Sequence, residues 1–172
     1  MEIKKYKKVS STNLLAKKET NKPWSIILAE EQTTGYGRKK DYWFSPKGGL
    51  YFSIILPKSN IEDLQTLTLL AAFAVAETIK ENLEIEPFIK LPNDVYINNK
   101  KVAGILTENV VGKDVKFSVM GIGLNTNISK FPKKLEGVAT SLQLESKKKI
   151  NNKKILVEIV KKIKKQLEII SA

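Results

Sequence analysis

The amino-acid sequence predicts an α+β domain, a mostly antiparallel sheet with helices packed on one face. Three observations predict it. Short apolar runs follow one another between residues 87 and 124, joined by turns too tight for a crossover helix. Two segments, 61–82 and 151–170, carry apolar residues at helical spacing. The length of 172 residues, with 42% hydrophobic and 28% charged residues, suits a single domain with one core.

The elements follow in order. Ser10-Ser11-Thr12-Asn13 precedes Leu14-Leu15-Ala16-Lys17-Lys18, the pattern of a capped short helix. Residues 25–29 form a short apolar run of the kind found in buried strands. A glycine-bearing polar loop runs from Gln32 to about Asp41, and residues 50–56 read as a second strand closed by Pro57. In the segment 61–82, Leu67, Leu70, Ala71, Ala74, Val75, Thr78 and Ile79 share a helical face. Asn60 serves there as N-cap, with Glu62 and Asp63 in the first turn. Residues 87–90 and 95–97 lead through Asn98-Asn99 into a strand at 102–108. Gly112-Lys113 then turns the chain into a strand at 115–124. In the tail, Leu156, Ile159, Val160, Ile163, Leu167 and Ile170 form one stripe, with Lys161, Lys162, Lys164 and Lys165 mostly away from it.

Composition removes several chemistries. With no cysteine and no histidine, thiol nucleophiles, thiolate zinc sites and imidazole bases are excluded. Lys, Arg, Asp, Glu and backbone groups must carry whatever chemistry there is. Met1-Glu2-Ile3-Lys4-Lys5-Tyr6 lacks the apolar core of a signal peptide, and no apolar run approaches the ~18 residues that span a bilayer. A cytoplasmic protein without membrane partners is therefore expected. The net charge of +12 is concentrated: residues 146–172 hold nine lysines and two glutamates, so +7 of it lies in the tail. No nucleic-acid motif accompanies these lysines, so specific DNA binding is not expected. A solvated lysine face on a docked helix accounts for them, and a contact surface for an acidic partner is the other reading.

Three motifs could carry chemistry. In Thr33-Thr34-Gly35-Tyr36-Gly37-Arg38-Lys39-Lys40-Asp41-Tyr42-Trp43, two glycines let backbone N–H groups face an anion and the cations neutralise it. In Lys90-Leu91-Pro92-Asn93-Asp94, the proline ends a strand and leaves Lys90 at its terminus, where the ammonium could reach a cleft. Downstream, Lys101 precedes Gly104, a glycine inside a strand that points to close approach by a ligand or another backbone. In Gly121-Ile122-Gly123-Leu124-Asn125, glycines again permit close approach, and Asn125 offers donors and acceptors at the strand end. Taken singly, each is equally an ordinary turn or hairpin with solvated cations.

Together and in this order, with Ser11-Thr12-Asn13 and Gln32, they resemble the catalytic domain of the biotin–protein ligases over roughly residues 8–128. The resemblance implies a fold like that of class II aminoacyl-tRNA synthetases. It also implies ATP-dependent activation of biotin to biotinyl-AMP and transfer to a lysine of a biotin carboxyl carrier domain of acetyl-CoA carboxylase type. ATP and Mg²⁺ would serve the reaction, with no tightly held metal on protein ligands. Ser11, Thr12, Asn13, Gln32, Gly35, Trp43 and Gly104 would bind biotin, with backbone groups of Tyr36, Gly37 and Arg38 on its carboxylate. Arg38 and Lys90 would likewise bind biotin and would stabilise the activated intermediate. Arg38, Lys39, Trp43, Lys90, Asn93, Lys101 and Asn125 would surround the nucleotide.

The motifs also depart from the family pattern. Tyr36 stands where a second arginine is usual, Asp41 near a usual arginine, and Leu91 where tryptophan is usual. The resemblance covers the catalytic domain alone, so neither an N-terminal helix-turn-helix domain nor a C-terminal SH3-like barrel is expected. A homodimer joined edge to edge through its sheets is an open expectation. The competing readings are a lipoate or octanoyl ligase or transferase of the same fold, and a non-enzymatic biotin- or nucleic-acid-binding module.

Overall fold

The computed structural model describes residues 2–18, 22–57, 63–111 and 115–170. Its seven strands are β1 (Ile3–Tyr6), β2 (Ile26–Ala29), β3 (Leu50–Leu56), β4 (Phe88–Lys90), β5 (Asp94–Ile97), β6 (Lys100–Val111) and β7 (Val115–Leu124). They form one sheet in the order β1-β2-β3-β7-β6-β5-β4. Every neighbouring pair is antiparallel except β1 with β2. The α+β expectation holds. The strand β1 was not expected; half of its four residues are lysines and it lies at the sheet edge.

Strand alternation divides the sheet into two faces. Leu50, Phe52, Ile54 and Leu56 of β3, with Met120, Ile122 and Leu124 of β7, enter one core with α2 (Leu64–Leu83) and α4 (Asn152–Ile170). Ala103 and Ile105 of β6 and Val95 and Ile97 of β5 join it. Ser53, Gly121, Gly123, Gly104, Leu106 and Glu108 therefore occupy the opposite face. There α1 (Thr12–Lys18) buries Ala16 against Ile27, Ile55 and Val119. The expectation of helices on one face holds for the two long ones. The short α1 lies on the other, against β2, β3 and β7.

Helix α2 begins later than expected. Asp63, expected inside the first turn, is the N-cap, and its carboxylate accepts from Gln65 N at 2.9 Å and Thr66 N at 3.1 Å. Asn60 and Glu62 lie outside the described residues, as does the expected Gly112-Lys113 turn. In α4 the buried stripe is Ile155, Leu156, Ile159, Val160, Ile163 and Leu167. Each such side chain contributes about 1.5–3 kcal/mol of transfer free energy. Ile170, expected in the stripe, is 46% exposed, in the helix's last turn. Lys162 is no solvated lysine either: it meets Glu81 at 2.8 Å and Glu77 at 3.6 Å, across the seam with α2. A short α3 (Leu142–Ser146), capped by Ser141, was not foreseen. Among the described residues no helix is long and apolar enough to cross a membrane.

Candidate active site

Three glycines cut a trough into the sheet face opposite α2 and α4. A Cβ on Gly121 would stand 2.1 Å from Asn13 Oδ1, and one on Gly123 would stand 2.4 Å from Trp43 Nε1. A Cβ on Gly104 would meet Trp43 and Lys101. Side chains from α1 and from the loop 33–43 thus descend onto bare backbone, which is why these strands need glycine there. Between them lies a cavity of about 350 Å³.

Its floor and walls come from distant parts of the chain. Ser11, Thr12, Asn13 and Gln32 line one region, and Tyr36, Gly37, Arg38, Lys39 and Trp43 form the loop wall. Asn93, Lys101 and Gly104 complete the set of expected residues that reach it. Gly35 is buried just beneath, against Ser45, Gln32 and the Trp43 carbonyl. Two expected residues stand outside the wall. Asn125 is buried at the end of β7, where its Nδ2 donates to Thr140 O at 3.0 Å and its Oδ1 finds no partner. Lys90 is exposed, its ammonium 5.6 Å from the Tyr96 ring centroid. It nevertheless shares the trough's sheet face and pairs in register with Asp94, which lines the cavity.

The end of the cavity nearest α1 is a network of neutral polar groups. Gln32 Oε1 accepts from Thr12 N at 2.8 Å and from the Thr12 hydroxyl at 3.1 Å, while its Nε2 donates to Ser45 Oγ at 3.0 Å. Ser53 Oγ donates to Asn13 Oδ1 at 2.6 Å. Both amide hydrogens of Asn13 are used, on Leu106 O at 3.2 Å and Glu108 Oε2 at 2.9 Å. What Asn13 retains for a ligand is an acceptor lone pair on Oδ1. Glu108 also accepts from Lys17 Nζ at 2.5 Å and from the Tyr36 hydroxyl at 3.0 Å. Partial burial opposes its ionisation, but the bonds from Lys17, Asn13 and Tyr36 outweigh it and hold the carboxyl below its ordinary value. Burial and the Glu108 charge raise the Tyr36 phenol above the ordinary tyrosine range.

The other end is cationic. Lys101 Nζ meets Asp94 Oδ1 at 2.7 Å and stands 5.3 Å from the Trp43 ring centroid. Asn93 Nδ2 donates to Asp94 Oδ1 at 2.9 Å, and Arg38 Nη1 reaches Asn93 Oδ1 only at 3.5 Å. The loop's base is a small ladder: Trp43 N donates to Gly35 O and Gly37 N to Asp41 O, both at 2.8 Å. At its tip Lys39 and Lys40 hold φ of 55° and 61°, a left-handed conformation costing about 1 kcal/mol per non-glycine residue. The Trp43 Nε1–H is buried without a partner, packed over the Gly123 backbone. Asp41, which also lines the cavity, sets a carboxylate among these cations.

Sequence reasoning gave no role to Ser53, Ser45, Asp94 or Glu108, and it singled out Gly121 and Gly123 for close approach without naming Asn13 and Trp43 as what approaches them. Ser53 carried a signal, a lone polar residue inside Leu50-Tyr51-Phe52-Ser53-Ile54-Ile55-Leu56. So did Glu108, which shares parity with Gly104 along one strand.

Fold and trough together define a class: an α+β domain with a cavity lined by neutral hydrogen-bonding groups in one region and cations in another. Residues 6–125 match the model of the Biotin/lipoate A/B protein ligase family, and the chain belongs to that family. The bifunctional ligase/repressor BirA of Bacillus subtilis is 40% identical over 141 residues, which are 79% of this chain and 43% of that protein. The biotin–[acetyl-CoA-carboxylase] ligase of Paracoccus denitrificans is 36% identical over 105 residues, 58% of this chain and 43% of that one. The chain thus spans less than half the length of these curated relatives. Among solved structures, a biotin protein ligase from Aquifex aeolicus in complex with biotin and ATP superimposes with a TM-score of 0.92 at 34% identity. It covers 99% of this chain and 72% of that one.

Proposed function

We propose that the chain is the catalytic core of a biotin–protein ligase that adenylates biotin with ATP and transfers it to an acceptor lysine. One observation carries the reading: a buried neutral polar network and a cationic loop meet along one trough. Biotin has the matching polarity, a ureido ring that donates and accepts hydrogen bonds and, at the far end of its chain, a carboxylate. A dithiolane or a plain acyl chain offers no N–H to the lone pair that Asn13 Oδ1 retains, and covering that acceptor without a donor costs about 1–3 kcal/mol. Biotin is therefore favoured over lipoate or octanoate.

In the first step the biotin carboxylate attacks the α-phosphate of ATP, a new O–P bond forms and pyrophosphate leaves. Two anions must approach, and Arg38, Lys39 and Lys101, with Lys90 swinging from β4, neutralise them and the charge on the phosphoryl oxygens. The backbone N–H groups of Tyr36 and Arg38 hold the carboxylate, while the Gly37 N–H, expected there too, is spent on Asp41 O and braces the loop instead; Trp43 covers the ligand. Asn93 and Lys101 stand at the nucleotide end. Asn125 acts from beneath, by tying the end of β7 to residue 140. Mg²⁺ arriving with the triphosphate would supply charge neutralisation at the phosphates. Asp94 is already engaged by Lys101 and Asn93, so the donor set fits a cation carried by the triphosphate better than one held by side chains. In the second step the acceptor amine attacks the mixed anhydride and AMP leaves.

The acceptor is a biotin carboxyl carrier domain, and the name of the Paracoccus relative supports an acetyl-CoA carboxylase. A cytoplasmic setting and a homodimer through the sheet edge belong to the same reading. The test is ATP–pyrophosphate exchange with and without biotin. Exchange that requires biotin and ignores lipoate is expected; exchange that follows lipoate, or none with either acid, refutes the reading.

A further inference from the structure

Glu108 does not line the cavity, yet two residues that do, Asn13 from α1 and Tyr36 from the ligand loop, both donate to its Oε2. Its other oxygen takes the Lys17 ammonium. An asparagine amide presents two hydrogens or an oxygen depending only on a flip of its terminal torsion. With Glu108 and the Leu106 carbonyl both demanding hydrogens, Nδ2 must face them. Oδ1 is then left over the Gly121 floor with Ser53 as its donor. The ring end of the trough is thereby made an acceptor. A ureido N–H needs an acceptor, and a dithiolane has no N–H to offer it. Tyr36, tied to the same carboxylate, anchors the first arm of the loop whose residues line the cavity.

We infer that Glu108 is a positioning residue that sets recognition of the ureido ring by fixing the Asn13 amide and the Tyr36 arm from behind, without touching the ligand. The inference deepens the biotin reading and rests on it. The competing account is an ordinary ion pair between Lys17 and Glu108, which serves α1 and nothing else. The two differ in what Lys17 does. A structural pair is broken equally from either side, whereas a positioning carboxylate keeps both ligand-side bonds when Lys17 is neutral.

The test is equilibrium binding of radiolabelled biotin to the full 172-residue chain, with the KM for ATP in pyrophosphate exchange as control. Glu108→Gln is expected to weaken biotin binding about tenfold, the equivalent of about 1.4 kcal/mol, with the KM for ATP within twofold. Lys17→Met alone is expected to stay within twofold. The double variant Lys17→Met/Glu108→Gln is expected to regain most of the loss, because the amide can then turn its oxygen to Asn13 and Tyr36 without its NH₂ facing an ammonium. Equal losses from Lys17→Met and Glu108→Gln overturn the inference, as does a parallel rise in the KM for ATP. Unaltered biotin binding by Glu108→Gln overturns it while leaving the biotin reading intact. Failure of the wild type to bind biotin removes both. Should Glu108→Gln not fold, Tyr36→Phe carries the test: a threefold or greater loss supports the inference and none overturns it.

Discussion

Replacing Gly121 with alanine puts a methyl group where Asn13 sits. Its Cβ would lie 2.1 Å from Asn13 Oδ1 and 2.7 Å from Cγ, against the ~3.3 Å that such atoms tolerate, so one partner must move about 1 Å. Strand β7 will not be that partner, because Gly121 is held on both sides, opposite Ser53 of β3 and Leu106 of β6. Asn13, on the first turn of a seven-residue helix, gives way. It then strains or loses bonds to Ser53, Leu106 and Glu108. Neutral bonds are worth about 1 kcal/mol each and one to a charged group about 1.5–3, so complete loss costs roughly 3–5 kcal/mol. Partial pivoting reduces this to about 2–3 kcal/mol, in the range of core overpacking. For a chain of this size that is a fall in Tm of about 4–12 °C. Differential scanning calorimetry reads the fall, and biotin binding should weaken at least tenfold beside it. A Tm within 2 °C of wild type, with biotin affinity unchanged, would refute the reasoning that Asn13 is the packing partner of the glycine floor.

Other substitutions probe the rest of the molecule. Lys90→Ala should reduce biotin-dependent pyrophosphate exchange on the order of 100-fold, the effect of losing a group that stabilises transition-state charge; near-normal exchange removes Lys90 from the mechanism. Ile159→Ala, in the centre of the α4 stripe, should cost about 2–5 kcal/mol in urea unfolding. A loss under 1 kcal/mol would mean that α4 is not docked on α2. The depressed Glu108 carboxyl contributes stability that is present above its unfolded value near 4.5 and is lost as pH falls through its lower folded value. The Tm difference between wild type and Glu108→Gln should therefore be full at pH 6 and shrink below about pH 4; a difference that grows on acidification contradicts the assignment.

Much of the fold was legible because its signals are local. β7 begins and ends where its apolar run does, at 115 and 124. The hairpins at 97–100 follow from Asn98 and Asn99, both of which take the left-handed conformation that asparagine tolerates. The stripe of α4 was readable at its centre and failed at Ile170, since periodicity cannot say how far the supporting surface extends. The cap was expected at Asn60 and stands at Asp63, because which side chain caps is decided by where the helix docks.

The candidate site divides along the same line. The glycines, the cations of the loop 33–43 and the Ser11-Thr12-Asn13 segment announce themselves by residue type, because a bare backbone or a concentrated charge is unusual wherever it stands. That much, with the antiparallel sheet and its two long helices, the amino-acid sequence determined alone. Tertiary structure decided which of these groups meet. Asn13 stands over Gly121, 108 positions away, and on Glu108, 95 positions away, only because β3, β7 and β6 lie side by side in one register. A shift of one residue would turn Gly121, Gly104 and Glu108 into the opposite core. It likewise left Lys90 over Tyr96, one strand beyond the cavity. Local preferences specify each strand; the pairing of strands far apart in sequence specifies the trough, and no local signal encodes that register.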